Sequence, residues 1–362
     1  MNYRQATLLA TSAFATAGTK SVDINVRDLI SRLMIIVEGT NTDFDPDGHP
    51  VDFIKSVEVV DGSEVVCSMS GVAAQAMHYY NTGKIDHNEL NYEDNATIRA
   101  AITLDFGRHL WDELFALDPT KFKNLQLKIE HDKSLAGCGN ASVNIRVLAD
   151  MFDEKTVTPQ GFMLDKEIYA FSPADGAAEY VELPVDEVLR KLLIINTSDS
   201  EEPDVQFETI KLDEEDGKRI LIDAYTMDVI RMYECLYPRF SEYFSGRAET
   251  TANDYYVTAC KDLQVMMGEA QDAIGMLYRA WSGGRVQAIL GEVQSLFHGV
   301  ASGRCPHGAV PLLFGKQDNP DDWWDTNRVS KARLVLTPRA ATPGGCDTTE
   351  QTHILVQQAK RY

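Results

Sequence analysis

The sequence has few positive charges and no long hydrophobic run, and both absences narrow the classes of function. Lys and Arg number 34 against 55 Asp and Glu, which gives a formal net charge of -21. Because so acidic a surface repels phosphate backbones, direct nucleic-acid binding is not expected. No apolar stretch approaches the roughly 20 residues that span a bilayer, so the sequence predicts no transmembrane helix.

Closely spaced metal-binding or redox residues are also lacking. The six cysteines contain no C-x-x-C pair, so we expect reduced structural thiols instead of a disulfide framework or a zinc site. They are Cys67, Cys138, Cys235, Cys260, Cys305 and Cys346. The eight histidines form neither an H-x-H pair nor an H-E-x-x-H motif, which argues against a two-domain cupin. A Walker A loop and a G-x-S-x-G elbow are absent, and residues 137–139 (GCG) lack the third glycine of a dinucleotide fingerprint.

What the sequence does contain is an internal repeat. At 362 residues, with 44% hydrophobic and 25% charged residues, the chain has enough apolar material for two globular domains. With a shift of 159, VDINVRDLISRLMII (22–36) aligns with VELPVDEVLRKLLII (181–195), and five of the fifteen positions are identical. Each copy begins with apolar residues at every second position, as in a half-buried strand, and continues into an apolar block typical of a strand buried on both faces.

Further matches follow in the same order in both copies. Asp61-Gly62 and Asp216-Gly217 each lie between apolar, β-prone runs, which predicts a type I′ hairpin because that turn needs positive φ. A short helical stripe follows each hairpin. Its residues are Ala73, Ala76, Met77 and Tyr80 in the first copy and Val229, Met232, Tyr233 and Leu236 in the second. FGR (106–108) then matches FGK (314–316), and an alternating strand closes each unit.

The second copy carries an insertion. The shift grows from 155 to 208 along the alignment, which places about 53 extra residues between the second helical stripe and residue 314. Two apolar sets within it have helical spacing, and we expect them to pack in the core and not to bind lipid or a partner. They are Leu263, Met266, Met267, Ala270 and Ile274, and Val286, Ile289, Leu290, Val293, Leu296, Phe297 and Val300.

These patterns predict an all-β fold with two tandem eight-stranded jelly rolls, short helices and a partly helical insertion in the second roll. The expected organisation is an N-terminal arm at 1–20, a first roll at 21–152 and a second roll at 153–362, with the insertion at about 240–308. The first residues faintly imitate a secretory signal. Because their apolar run is rich in Ala and Thr and poor in Leu, we favour an arm packed inside an assembly.

The sequence offers only weak candidates for a binding site. DFDPDG (43–48) matches the first half of a calcium loop through Asp43, Asp45, Asp47 and Gly48. The twelfth position is Ile54 instead of Glu and Pro46 stiffens the turn, which favours a solvated acidic loop.

Two other clusters also have a simple structural interpretation. Cys305-Pro306-His307 is too small to bind a metal alone, so a loop is favoured. For Trp323 and Trp324 we favour packing or a subunit contact over ligand stacking. No catalytic, metal-binding or cofactor-binding residue is therefore assigned.

The chain resembles the double jelly-roll major capsid proteins of tailless icosahedral viruses, a lineage that includes tectivirus-like and corticovirus-like phages and the adenovirus hexon. Four segments carry the resemblance over nearly the whole chain. They are SVEVVDGSEVVCSMSG (56–71), FGRHLWDELFALDPTKFKNLQLKIEHD (106–132), EYVELPVDEVLRKLLI (179–194) and VQQAKRY (356–362).

The resemblance implies a structural protein of the virion without enzymatic activity or cofactor. Two rolls side by side would give a homotrimer of roughly hexagonal outline that tiles an icosahedral shell. Its implied partners are further copies of itself, minor capsid or penton proteins and an internal membrane or scaffold, with assembly in the host cytoplasm. The N-terminal arm would point inward and the insertion would decorate the outside or the contacts between capsomers.

Two other classes of function remain open from the residues. A two-domain jelly-roll carbohydrate-binding protein would suit exposed aromatic residues and a calcium loop. A glycan hydrolase on paired jelly rolls would use scattered carboxylates as acid and base.

Overall fold

β-Branched and aliphatic residues organise the chain into two successive sets of eight strands. The computed structural model describes all residues except 15, 43–45, 137–142, 249–252, 270–276, 281, 290–294 and 341–344. The first set comprises β1 (Tyr3–Ala13), β2 (Ala17–Asp23), β3 (Ile30–Thr40), β4 (Ile54–Asp61), β5 (Glu64–Met69), β7 (Thr97–Asp105), β8 (Leu125–Asp132) and β9 (Val143–Phe152). Between β5 and β7 lie α1 (Gly71–Thr82) and a short additional strand, β6 (Leu90–Asn91).

The second set has the same order of elements with additional strands inside it. It begins with β10 (Gly161–Phe171), β11 (Glu179–Leu183), β12 (Val188–Asn196), α2 (Pro203–Gln206), β13 (Phe207–Glu214), β14 (Arg219–Tyr225) and α3 (Thr226–Met232). The additional strands are β15 (Phe240–Ala248), β16 (Asn253–Tyr256), β17 (Ala259–Glu269), β18 (Leu277–Ala280), β19 (Arg285–Ile289) and β20 (Ser295–Pro306). The set closes with β21 (Ala309–Leu313), β22 (Ala332–Pro338) and β23 (Thr352–Arg361).

Each set folds into two four-stranded sheets with matching strand order. The first roll has β1-β9-β3-β7 and β2-β8-β4-β5, and the second has β10-β23-β12-β21 and β11-β22-β13-β14. A parallel bridge between Ser68 of β5 and Lys166 of β10 joins one sheet of each roll into an eight-stranded sheet. The predicted pair of eight-stranded jelly rolls is confirmed.

The duplication extends to the irregularities of the strands. Four ladders of the first roll contain register shifts, and one shift in each recurs at the aligned position of the second roll. A further shift in the β1–β9 ladder, at Leu9/Ser12, is not repeated in the described β10–β23 ladder. The matched shifts lie at Thr7/Leu9 and Glu167/Tyr169, Ile30/Arg32 and Leu189/Lys191, Ile54/Ser56 and Phe207/Thr209, and Val59/Val60 and Leu212/Asp213. Since a bulge bends and twists its strand locally, this correspondence gives residue-by-residue equivalence between the two rolls.

Alternating side chains form a hydrophobic core within each roll. Along β8, buried and half-buried residues alternate without exception, and Leu127 and Ile129 are fully buried. Their equivalents Leu334 and Leu336 on β22 are fully buried as well. The strict period of two explains why the sequence identified these strands.

The two hairpins are present, but their turns differ from the predicted type I′. In the first turn, only Gly62 of the central residues Gly62 and Ser63 has positive φ, as in a type II′ turn. The second turn is longer, with positive φ at Glu215, Asp216 and Gly217. Asp-Gly therefore located both turns without specifying their type.

The prediction of an N-terminal arm at 1–20 is wrong. β1 pairs with β9 from Tyr3 opposite Phe152 to Ala13 opposite Asn144, and β2 pairs with β8. These residues are strands of the first roll, equivalent to β10 and β11 of the second. The small Ala and Thr side chains of β1 give little hydrophobic signal, because its stability comes from a ladder to a strand more than a hundred residues away.

The prediction of a partly helical insertion is also wrong for the described residues. Leu263, Met266 and Met267 lie on β17, Val286 and Ile289 on β19, and Leu296, Phe297 and Val300 on β20; Ala270, Ile274, Leu290 and Val293 lie outside the described residues. Buried Val286 and Ala288 flank half-buried Gln287, so the true period is two. Pairing in the sheet β17-β20-β15-β6 determines the structure, and β6 comes from the first roll.

Candidate functional site

The acidic loop does not form a complete metal site among the described residues. Asp47 is exposed, and Asp43 and Asp45 lie outside the described residues. Ile54, at the twelfth position, is buried as the first residue of β4. Within the part of the chain that the structure describes, no three His, Cys, Asp or Glu side chains are grouped to hold a metal ion.

His307 belongs to a buried polar network that joins the insertion to both rolls. Its Nε2 lies 2.7 Å from Oε1 of Gln75 on α1. The hydroxyl of Thr258 donates to Glu242 at 2.8 Å and lies 3.3 Å from Nε2 of His49. Burial lowers the pKa of His307 to about 3 and raises that of Glu242 to about 7. These side chains are largely buried and bond to one another across the insertion and both rolls, which gives the network a structural role.

The tryptophans are structural as well, and the described cysteines are unpaired. Trp323 stacks on Phe115 with ring centroids 5.7 Å apart, and the Trp324 indole N–H donates to Glu214 at 2.7 Å. Both are buried, so the preference for packing over ligand stacking is confirmed. Cys67, Cys235, Cys260, Cys305 and Cys346 are free thiols, and Cys138 lies outside the described residues. None of the described helices is both long and apolar enough to cross a bilayer.

A groove of about 640 Å³ lies between residues 85–91 and β15. Its lining includes the carboxylates of Asp86 and Glu89 and the imidazoles of His87 and His298. Tyr243 projects beside it and is strongly exposed. This is the place where the carbohydrate-binding alternative would be tested.

A different surface stands out when the two rolls are compared, and it begins with the junction inside the chain. There β5 and α1 of the first roll cover β10 and β12 of the second. The Tyr80 hydroxyl donates to the Ala309 carbonyl at 2.8 Å, and Lys360 pairs with Glu64 at 2.8 Å. The Lys191 ammonium donates to the Tyr80 carbonyl at 2.5 Å.

Both sides of this junction are repeated at the free edges of the chain. By the alignment, β14 and α3 are the equivalents of β5 and α1, and β1 and β3 are the equivalents of β10 and β12. In the sheet orders, β14 and β1 are edge strands with one neighbour each. The chain therefore carries an unused copy of each half of its own internal junction.

The side chains at these edges are exposed where their equivalents are buried. Ala76 and Tyr80 on α1 are buried, whereas the aligned Met232 and Leu236 are 64% and 56% exposed. On the other edge, Asp165 of β10 is buried and the aligned Gln5 of β1 is exposed. We define the two surfaces as the α3 edge (β14, α3 and 233–236) and the β1 edge (β1 and β3).

This arrangement can support self-association. Large apolar side chains grouped on a surface mark contacts with another molecule, and two different complementary edges give a head-to-tail contact. The sequence places Met232 and Leu236 in a short helical stripe, and that spacing alone does not show that they are exposed. The available signal was the repeat itself, which aligns Ala76 with the larger Met232 at a surface position.

Comparisons with known proteins support the architecture. No family profile and no curated protein sequence matches the chain. The atomic structure of Sulfolobus turreted icosahedral virus contains a chain with a TM-score of 0.63 and 11% identity, covering 100% of this chain and 92% of that one. The major capsid protein of bacteriophage PM2 has a TM-score of 0.56 and 10% identity, with 99% and 98% covered.

A third example is also a chain of a virus capsid. A chain of the PBCV-1 virus capsid has a TM-score of 0.55 and 12% identity, covering 99% of this chain and 93% of that chain. At such low identity a structural likeness establishes the fold and not the activity. The chain is therefore a double jelly roll, with the fold of these viral capsid proteins over its full length.

Proposed function

We propose that the protein is the major capsid protein of an icosahedral virus, a structural subunit whose activity is self-association. The observation that carries the proposal is the exposure of repeated junction surfaces at both ends of a double jelly roll. The likeness to viral capsid proteins across both whole chains supports it. The proposal places the protein in the virion and assigns it no catalytic residue or cofactor.

The geometry of the junction suggests how copies join. If the α3 edge of one copy covers the β1 edge of the next, the contact between chains repeats the contact between rolls. A repeated head-to-tail contact closes into a ring when the rotation per step divides a full turn. Three chains contain six rolls, so a step of about 60° per roll closes a trimer with hexagonal outline.

Other partners belong to the same proposal. Minor capsid or penton proteins would fill positions that a hexagonal unit cannot, and an internal membrane or scaffold would lie beneath the shell. Direct contact with the genome is not proposed, because a chain with a formal net charge of -21 repels nucleic acid.

Electron microscopy and mass photometry of the purified protein test the proposal. We expect particles of three chains with a pseudo-sixfold outline. A protein that stays monomeric at micromolar concentration and shows no such outline would contradict it. Binding of a neutral oligosaccharide at the groove beside Tyr243 by that monomer would instead favour the carbohydrate-binding alternative.

A further inference from the structure

Within the chain, one buried lysine of the second roll donates hydrogen bonds to the C-terminal end of α1 in the first roll. Lys191 on β12 is fully buried, and its ammonium donates to the Tyr80 carbonyl and, at 2.9 Å, to the Asn81 side chain. Both acceptors lie in the last turn of α1. Carbonyls at a helix C-terminus have no intrahelical partners and carry partial negative charge, so a cation there stabilises the contact.

The equivalent of Lys191 in the first roll is Arg32. The two follow matched bulges, and each lies opposite the same position of the neighbouring strand, Lys191 opposite Gln357 and Arg32 opposite Asp150. The Arg32 side chain is 22% exposed and pairs with the Asp150 carboxylate at 2.5 Å. Among the described residues this carboxylate is its one hydrogen-bond partner, so part of the guanidinium remains available.

The equivalent of Tyr80 in the second roll is Leu236. It lies in the turn 233–236 that follows α3, and its side chain is exposed. In the described part of the chain, no backbone N–H donates to the Leu236 carbonyl. The chain thus presents a donor on the β1 edge and an acceptor on the α3 edge whose equivalents are bonded to each other inside the molecule.

We propose that Arg32 of one copy donates to the Leu236 carbonyl of a neighbouring copy, as Lys191 donates to Tyr80 within the chain. The inference rests on the head-to-tail ring proposed above and assigns one polar contact within it. The pairing of Arg32 with Asp150 makes the site neutral overall, so its burial costs less than that of a lone cation. A guanidinium has enough N–H donors to bond the Asp150 carboxylate and a carbonyl at the same time. Inside the chain, the Lys191 ammonium bonds the Tyr80 carbonyl and the Asn81 side chain.

Two substitutions and a matched control test this contact. Arg32→Met removes the donor, and we expect the dissociation constant of the trimer to rise roughly tenfold or more. Arg32→Lys keeps a donor like that of Lys191, so most of the affinity should return. The control is Arg99→Met on β7, since Arg99 has similar exposure and pairs with Glu38 and Glu89.

Crosslinking keeps the inference testable if Arg32→Met impairs folding. Cys235, an exposed free thiol, neighbours Leu236. In an Arg32→Cys protein, a short bismaleimide should link cysteine 235 of one chain to position 32 of the next, giving covalent dimers and trimers on a denaturing gel. Adding Cys235→Ala should abolish them.

The possible results separate the two proposals. Wild-type affinity in Arg32→Met, or no crosslink in trimers of the Arg32→Cys protein, would overturn the Arg32 contact and leave the ring intact. A wild-type protein that forms no trimers would overturn the proposed function itself.

Discussion

At the scale of single residues, buried polar groups hold the insertion in place. Glu242, on β15, accepts hydrogen bonds from both the backbone N–H and the hydroxyl of Thr258. His49 of the first roll and His307 of the second lie in the same network. Because burial removes most of the water around these groups, their protonation is coupled to folding.

For Glu242, this coupling makes the stability of the fold decrease as the pH rises. Its pKa is raised by burial to about 7 from an ordinary value of 4.5. The folded protein therefore holds a proton that the unfolded chain releases between these pH values, so the stabilisation is full below about pH 4.5 and is lost as the pH rises through 7. Glu242→Gln mimics the protonated form. We expect the free energy of unfolding of the variant, relative to that of wild type, to be higher at pH 8 than at pH 5, by roughly 3 kcal/mol at most.

Urea denaturation at pH 5 and pH 8, at one protein concentration, measures that difference. Burial lowers the pKa values of His49 and His307, so these two groups make stability rise with pH, opposite to Glu242. Both histidines are present in variant and wild type, so the difference between the two proteins reports on Glu242. Glu208→Gln, at an exposed position of β13, is the control for the loss of one carboxylate outside the buried network. A difference for Glu242→Gln that does not change with pH would contradict the prediction.

At the scale of elements, the first strand is part of the roll. β1 covers the edge of β9 over eleven residues and provides the equivalent of β10. Deletion of residues 1–13 should therefore lower the free energy of unfolding by several kcal/mol and promote aggregation, since it exposes a long unpaired edge. An arm outside the fold would instead leave stability unchanged. Thermal and urea unfolding of the truncated protein, beside a control lacking only residues 1–2, distinguish the two outcomes.

Elements with local signals could be predicted from the sequence, and elements held by distant partners could not. The apolar blocks of β3 and β12, both hairpins and the stripe of α1 carry their own periodicity. β1 is rich in Ala and Thr, and the insertion has small residues such as Gly299 and Ala301 on its buried face, so their pairing decides their structure. The α3 edge was hidden for a related reason, because Met232 and Leu236 share the helical spacing of Val229, yet Val229 is buried in the core and they are exposed.

At the scale of the whole molecule, the proposed ring brings strongly acidic subunits together. Each chain has a formal net charge of -21, so charge repulsion opposes association, while the apolar α3 edge favours it. Salt screens the repulsion over about 10 Å at 0.1 M and leaves apolar burial largely unaffected. We therefore expect the trimer to become tighter as NaCl rises from about 20 to about 300 mM. Sedimentation velocity over a concentration series measures this, and weaker association at high salt would show that attraction between opposite charges dominates the interface.

A charged substitution at the α3 edge tests apolar contact and charge repulsion in one experiment. Leu236→Asp removes apolar contact and adds negative charge at the proposed interface, so it should weaken the trimer by roughly a hundredfold or more. Tyr180→Asp is the matched control, because Tyr180 is similarly exposed but lies on β11. In the sheet β11-β22-β13-β14, β11 is the edge strand opposite β14 of the α3 edge. Both variants carry the same net charge, so a general charge effect would weaken both equally. A loss confined to Leu236→Asp would localise the contact at the α3 edge, whereas equal affinities for both variants would exclude this edge from the interface.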